Sequence, residues 1–106
     1  MTELMASIYG AVTRETDSAK RLHGVIYHSL HEGYGVLSEE IFEAMAEVRP
    51  MAVKLEHMLG ALHANSAPQT AYWAREIYKL AVNGACELVQ VAAVAQKIID
   101  TAEVEA

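Results

Sequence analysis

Residues 85–99 read ACELVQVAAVAQKII. Wound as a helix at about 100° per residue, this segment is apolar around most of its circumference. Such a helix must be buried on several sides. Three other helices in a chain of 106 residues can hardly cover it, so a subunit interface is expected. Upstream lies the clearest loop, NSAPQ at 65–69, with Ser66 as candidate N-cap and Pro68 in the first turn. The fourth helix is therefore expected to run from there to about Thr101, with a bend near Gly84.

The rest of the chain reads as three more helices. Leu4, Ile8, Ala11, Val12, Ala19 and Leu22 recur at helical spacing over residues 2–22, and Gly24 is a stop signal. Residues 23–28 are a connector. Ser29 with Glu32 is a capping box that opens a second helix. Its apolar stripe is Leu30, Tyr34, Leu37, Ile41, Met45 and Val48, with Tyr34 expected in the core. Pro50 starts a third helix, striped by Met51, Leu55, Met58, Leu59 and Leu62. The expectation is a single all-α, four-helix bundle-like domain spanning 1–106, packed against a second subunit.

Composition agrees and narrows the function. A hydrophobic fraction of 53% with 7% aromatic residues suits a helix bundle better than a sandwich or barrel. The net charge of −6 removes the attraction that a nucleic-acid polymer requires. It leaves room for a nucleotide, because divalent cations can sit between a triphosphate and an acidic protein. The lone Cys86 suits a reducing cytosol. The opening MTELMASIYGAVTRETD has no basic n-region. Residues 80–96, which include Glu87, read as too short and too polar to cross a bilayer. A cytoplasmic protein without membrane contact is expected.

Two acidic blocks carry the chemistry. In Glu39-Glu40-Ile41-Phe42-Glu43, helical projection puts Glu40 and Glu43 together beside the apolar stripe, with Glu47 one turn on and Glu39 turned to water. Their mutual repulsion is relieved by a divalent cation. The competing reading is an ordinary acidic helix surface. On the fourth helix Asn83, Glu87, Gln90 and Lys97 form one polar stripe. Glu87 stands among apolar neighbours and needs a cation or a strong hydrogen-bond donor. Lys79 and Lys97 are too far along the helix to pair with it. The alternative is an ion pair with a more distant base, or exposure at a rim. If Glu40, Glu43 and Glu87 converge, an all-oxygen set favours Mg²⁺ or Mn²⁺ over zinc. No Glu has a His three residues later, so the di-iron bundle pattern is missing. His28 and His31 lack the further ligands of a zinc site.

SEEIFEAMAEV followed by ACELVQVAAVAQKII resembles the EExxE…ExxD pattern of the all-α NTP pyrophosphohydrolases, the MazG-like and dimeric dUTPase-like group. The likeness covers about residues 27–100 and looks like a short, single-domain, phage-type branch. It implies hydrolysis of a nucleoside triphosphate to monophosphate and pyrophosphate, with Mg²⁺ or Mn²⁺ as cofactor, in a homodimer or homotetramer. Metal ligands then fall on Glu40, Glu43 and Glu87, and on Gln90, where the group has Asp. A carboxamide there binds a hard cation without adding charge. Glu40, Glu43 and Glu87 are the catalytic candidates. Lys97 is a candidate for phosphate or a solvated end-of-helix lysine, Asn83 on the same stripe is a further substrate-binding candidate, and His31 and Trp73 are candidates for stacking on a base, with core or interface as the competing reading for Trp73. Tyr72 and Tyr34 are further aromatic candidates. The rival reading is a non-catalytic helical assembly or adaptor protein, or an inactive relative of that group, and Gln90 is its best support.

Overall fold

Three helix starts are written in hydroxyl side chains. The computed structural model describes residues 2–105. Thr2 Oγ1 accepts from the Met5 amide at 3.1 Å and opens α1, Glu3–His23. Ser29 Oγ accepts from the Glu32 amide at 3.1 Å and opens α2, Leu30–Val48. Ser66 Oγ accepts from the Gln69 amide at 3.2 Å and opens α4, Ala67–Glu105. Each bond satisfies one of the donors that a helix start leaves free. The third helix, α3 at Pro50–His63, has no side-chain cap. Arg49 stays in helical conformation and still bonds Met45, while Pro50 has no amide to donate. Thus α2 and α3 form one helical path kinked at a proline. The fold is all-α, as the periodicities imply, with no strand among the described residues.

At 39 residues, α4 is the spine. It reaches four residues past the expected end at Thr101 and runs unbroken through Gly84. Its length of about 58 Å at 1.5 Å per residue matches the long axis of the molecule, which measures 60 × 30 × 23 Å. The kinked α2–α3 path runs antiparallel beside it in constant register. Gly33 meets Ile98, Gly84 meets Val48 and His57 stacks on Trp73, so partner numbers sum to 130–132 throughout. A methyl group added at Gly33 would lie 2.8 Å from Ile98 Cγ1 and 3.0 Å from Tyr27 Cδ2. One added at Gly84 would lie 3.3 Å from Val48 Cγ2. Gly84 is therefore a packing glycine, not a hinge. The first helix touches only α4 among the helices, and Lys20 bridges Asp100 at 3.4 Å near its C-terminal end.

The seam between these helices is lined by small residues. Gly33, Ala44, Ala61, Gly84 and Ala93 are buried. Several large apolar residues lie away from it: Tyr34 of the second stripe is 72% exposed, and Phe42, off that stripe, 74%. Tyr34 is thus not a core residue: the close α2–α4 approach is taken by its neighbour Gly33, which packs against Ile98. Leu4, Ile8, Leu22, Leu55, Leu59 and Leu62 are also exposed. The chain has 7504 Å² of accessible surface, against roughly 5,800 Å² for a compact protein of this mass. Its radius of gyration is 18.2 Å, where a compact domain of this length has about 13 Å.

The stretch 80–96, taken alone, is too short for a bilayer, but it lies within a longer helix. By length and hydropathy α4 is long and apolar enough to cross a membrane, and little of that window is buried. Glu87 and Lys97 lie on its course and face the other helices.

Candidate active site

Between the two glycine contacts, the α2–α4 register places Glu43 opposite Glu87 and Glu40 opposite Gln90. Glu40 and Glu43 are one helical turn apart. Each of Glu40, Glu43 and Glu87 offers an oxygen within 4.8 Å of the others. Glu40 Oε2 and Glu87 Oε2 are both enclosed and have no hydrogen-bond donor. The ion pairs among the described residues are Lys20–Asp100 and Lys79–Glu76, so no cationic side chain neutralises the three carboxylates.

That arrangement is costly as it stands. Two unit charges at this separation repel by about 1 kcal/mol in water and about 3 kcal/mol at an effective dielectric of about 20. Glu40 records the cost. Burial, first, and then the charges of Glu43, Glu87 and Glu39 raise its pKa above the usual 4.5. Glu39 itself is exposed, as its projection implies.

Of the three carboxylates, Glu40 lines a cleft of about 450 Å³ formed by three helices. From α2 it takes Glu32, Val36 and Glu40, and from α4 Gln90, Ala93 and Lys97. Glu15 and His23 of α1 form the third wall. Lys97 is only 6% exposed, and its ammonium sits 4.3 Å from the centre of the Tyr27 ring. Tyr27 lies in the α1–α2 connector and is itself buried. Burial, with Glu32 and Glu40 nearby, raises the pKa of its phenol.

The structure thus joins Glu40, Glu43 and Glu87, and places Gln90 and Lys97 in the cleft that Glu40 also lines. It does not bring the remaining sequence candidates there. Asn83 is exposed one turn before Glu87, outside the cleft lining. His31 is exposed in the first turn of α2. Trp73 lies about 21 Å from Glu87 along the α4 axis at 1.5 Å per residue. It is held by the His57 ring at 4.6 Å, with Lys54 at 5.4 Å and Tyr72 edge-on at 4.9 Å. The helix is straight enough in register that no fold-back can shorten that distance within one chain.

Tyr27, Glu15, His23 and Glu32 are cleft residues that the periodicity did not single out. Tyr27 falls in a connector with no repeat to mark it. Glu15 and His23 sit on the polar side of α1, which reads as solvated until α4 packs beside it. No known protein family, characterised protein or solved structure matches the chain.

Proposed function

We propose that the chain hydrolyses a nucleoside triphosphate to monophosphate and pyrophosphate with the help of a divalent cation. One observation carries this reading: three carboxylates converge without a counter-charge, and two of their oxygens are enclosed and unbonded. Packing alone does not require that expense, since an apolar seam of the same helices would be more stable. The donor set is all oxygen, which fits Mg²⁺ or Mn²⁺. The resemblance of SEEIFE and CELVQ to the MazG-like pyrophosphohydrolases supports the same reaction.

In this mechanism Glu40, Glu43 and Glu87 hold the cation, and Gln90 offers a neutral fourth oxygen. A divalent cation held there would supply charge neutralisation for phosphate oxygens and a lowered pKa for an attacking water. One of the carboxylates Glu40, Glu43 and Glu87 would accept the proton of that water. The cleft volume suits a small ligand.

The exposed apolar stripes support a homo-oligomer, a homodimer or homotetramer. A single chain buries alanine and glycine while leaving Tyr34, Phe42 and Tyr78 in water, an inversion that a second copy corrects. The Glu and Lys on α4 support a water-soluble, cytoplasmic assembly over a membrane span.

Pyrophosphate release from a panel of ribo- and deoxynucleoside triphosphates tests the proposal. Release with Mg²⁺ or Mn²⁺ that stops with chelator and in Glu87→Gln supports it. No release from any substrate by the folded protein sinks it and favours the assembly reading.

A further inference from the structure

Along the outer side of α4 a regular apolar face has no helix packed squarely against it. Tyr78 is 71% exposed there, Ile99 49% and Leu88 48%. Tyr78, Ala85, Ala92 and Ile99 form one row of the face, and Ala74, Ala81, Leu88 and Ala95 the other. The steps between the rows alternate by three and four residues, which is the spacing of a helix that meets another helix along its length. Gly84 and Trp73, which meet α2 and α3, and Gln90 and Lys97, which line the cleft, project to other sides of the helix. Beside the face runs α1, parallel to α4. Lys20 bridges Asp100, and the groove between the two helices is lined by Thr16 with Gln96 and Val12 with Ala92, so facing numbers differ by 80. The groove holds about 680 Å³, and its α1 wall presents the exposed Met5, Ile8 and Tyr9.

The order of residues along the face selects its occupant. Against a second α4 running the opposite way, with facing numbers that sum to 173, Tyr78 meets Ala95, Leu88 meets Ala85, Ile99 meets Ala74 and Ala81 meets Ala92. Every large side chain is received by an alanine, as close packing requires, and the helix dipoles oppose each other. A parallel pair would stack Tyr78 on Tyr78 and Leu88 on Leu88, and would leave gaps at the alanine layers between them.

Charge agrees with the antiparallel pair. Arg75 and Asp17 are exposed and have no ion-pair partner among the described residues. Arg75 flanks the face on the side that carries α1. In the pair it falls level with residue 98 of the second copy, where α1 has reached residue 18, beside Asp17. Within one chain the two are about 33 Å apart along α4 at 1.5 Å per residue. Area agrees as well. The chain exposes about 1,700 Å² more than a compact protein of its mass, and an obligate homodimer removes roughly 1,000–2,500 Å² from each chain.

We propose that two copies of the chain pair through α4 in an antiparallel, two-fold arrangement, with Arg75 of each copy against Asp17 of the other. This rests on the homo-oligomer proposed above, to which it gives a face, a direction and a register, and it is independent of the hydrolase reaction. Glu87 and Gln90 project to the far side of α4, so both clefts stay open.

Light scattering of the whole protein at micromolar concentration is expected to give the mass of two chains. Ala85 lies beside the two-fold axis, so Ala85→Glu enters the interface twice and should weaken the dimer at least about 100-fold. Asp17→Arg and Arg75→Asp should each weaken it roughly tenfold. The double variant restores two opposite-charge pairs and should recover most of that loss. Such a rescue cannot arise within one chain, and it decides the register even where Ala85→Glu fails to fold. Direction is read in a Cys86→Ser background. Ala81→Cys and Ala92→Cys refolded together should form a disulfide between chains, and neither should alone, because identical positions lie about 16 Å apart along the axis. Disulfides in each variant alone mean a parallel pair and overturn the proposal, and absence of the charge rescue overturns its register. A dimer indifferent to Ala85→Glu uses another face, which defeats this assignment and leaves the homo-oligomer standing. A wild-type monomer defeats both, and its sedimentation with phosphatidylcholine vesicles would make the face a membrane surface instead.

Discussion

The kinked path of α2 and α3 meets α4 in two halves, built on one register and filled with opposite chemistry. In the α3 half, His57 stacks on Trp73 and Lys54 lies over the same ring, so a cation, an imidazole and an indole satisfy one another. In the α2 half, the equivalent layer holds Glu43 against Glu87 with Glu40 beside them. The backbone treats both alike. The side chains make the first half self-sufficient and leave the second in want of positive charge. A helix pair selected for stability alone would resemble the α3 half along its whole length, so the α2 half is where stability has been given up for something else.

The largest expected effect breaks the charged half. Glu87→Gln removes one of three convergent carboxylates and should lower metal-dependent pyrophosphate release at least 100-fold, or about 2.7 kcal/mol of transition-state stabilisation. A steady-state rate with Mg²⁺ measures it. Retention of more than a tenth of the activity would remove Glu87 from the site. Next comes Trp73→Ala, which breaks the other half. It should lower stability by roughly 2 kcal/mol, less than a fully buried tryptophan because Trp73 is partly exposed. Denaturant unfolding reads that loss. Mg²⁺ affinity should be unaffected, since the aromatic cluster and the triad are about 21 Å apart along α4 at 1.5 Å per residue. A change in Mg²⁺ affinity would show that the two halves communicate through an oligomer.

The two halves were unequally legible before the fold was known. Glu40 and Glu43 share a flank by helical projection, and Glu87 is conspicuous because its neighbours are apolar, so single-helix geometry suffices to nominate all three. The helix starts were equally readable, because Ser29, Ser66 and Pro50 act on the backbone within four residues. What failed needed knowledge of distance between helices. Tyr34 sits on a proper apolar stripe, yet the axis separation is fixed by Gly33 and Gly84, and only small residues fit the seam. Trp73 and His31 share the right chemistry for a base but lie on the wrong turns. Tyr27 and Thr101, partners separated by 74 positions, have no periodic signature at all.

A packing contrast sharpens the comparison at smaller amplitude. Gly33 and Gly35 lie on the same helix, but a methyl group at Gly35 meets nothing within 4 Å. Gly35→Ala should therefore stabilise by about 0.5–1 kcal/mol through helix propensity and lost chain freedom. Gly33→Val should cost about 1–3 kcal/mol, because Ile98 and Tyr27 must move apart. Thermal unfolding of the two variants distinguishes them by sign. A stabilised Gly33→Val would mean that the α2–α4 seam is looser than the register implies.

The subtlest test sets the charged half against pH. Its folded-state pKa raised above 4.5, Glu40 holds its proton more tightly in the native protein than in the unfolded chain. Between those two values the native state binds more protons, so stability falls as pH rises. The contribution is fully present below about 4.5 and is lost as pH passes through the raised value. Without metal, the melting temperature should decline across that window, and Glu40→Gln should flatten the decline. Mg²⁺ requires the ionised carboxylate, so its stabilisation should run the opposite way and grow with pH over the same range. Trp73→Ala should leave both slopes as they are, because no carboxylate of the triad lies in its half. Parallel slopes with and without Mg²⁺ would mean that Glu40 does not meet the cation, and the contrast between the halves would then be one of packing alone.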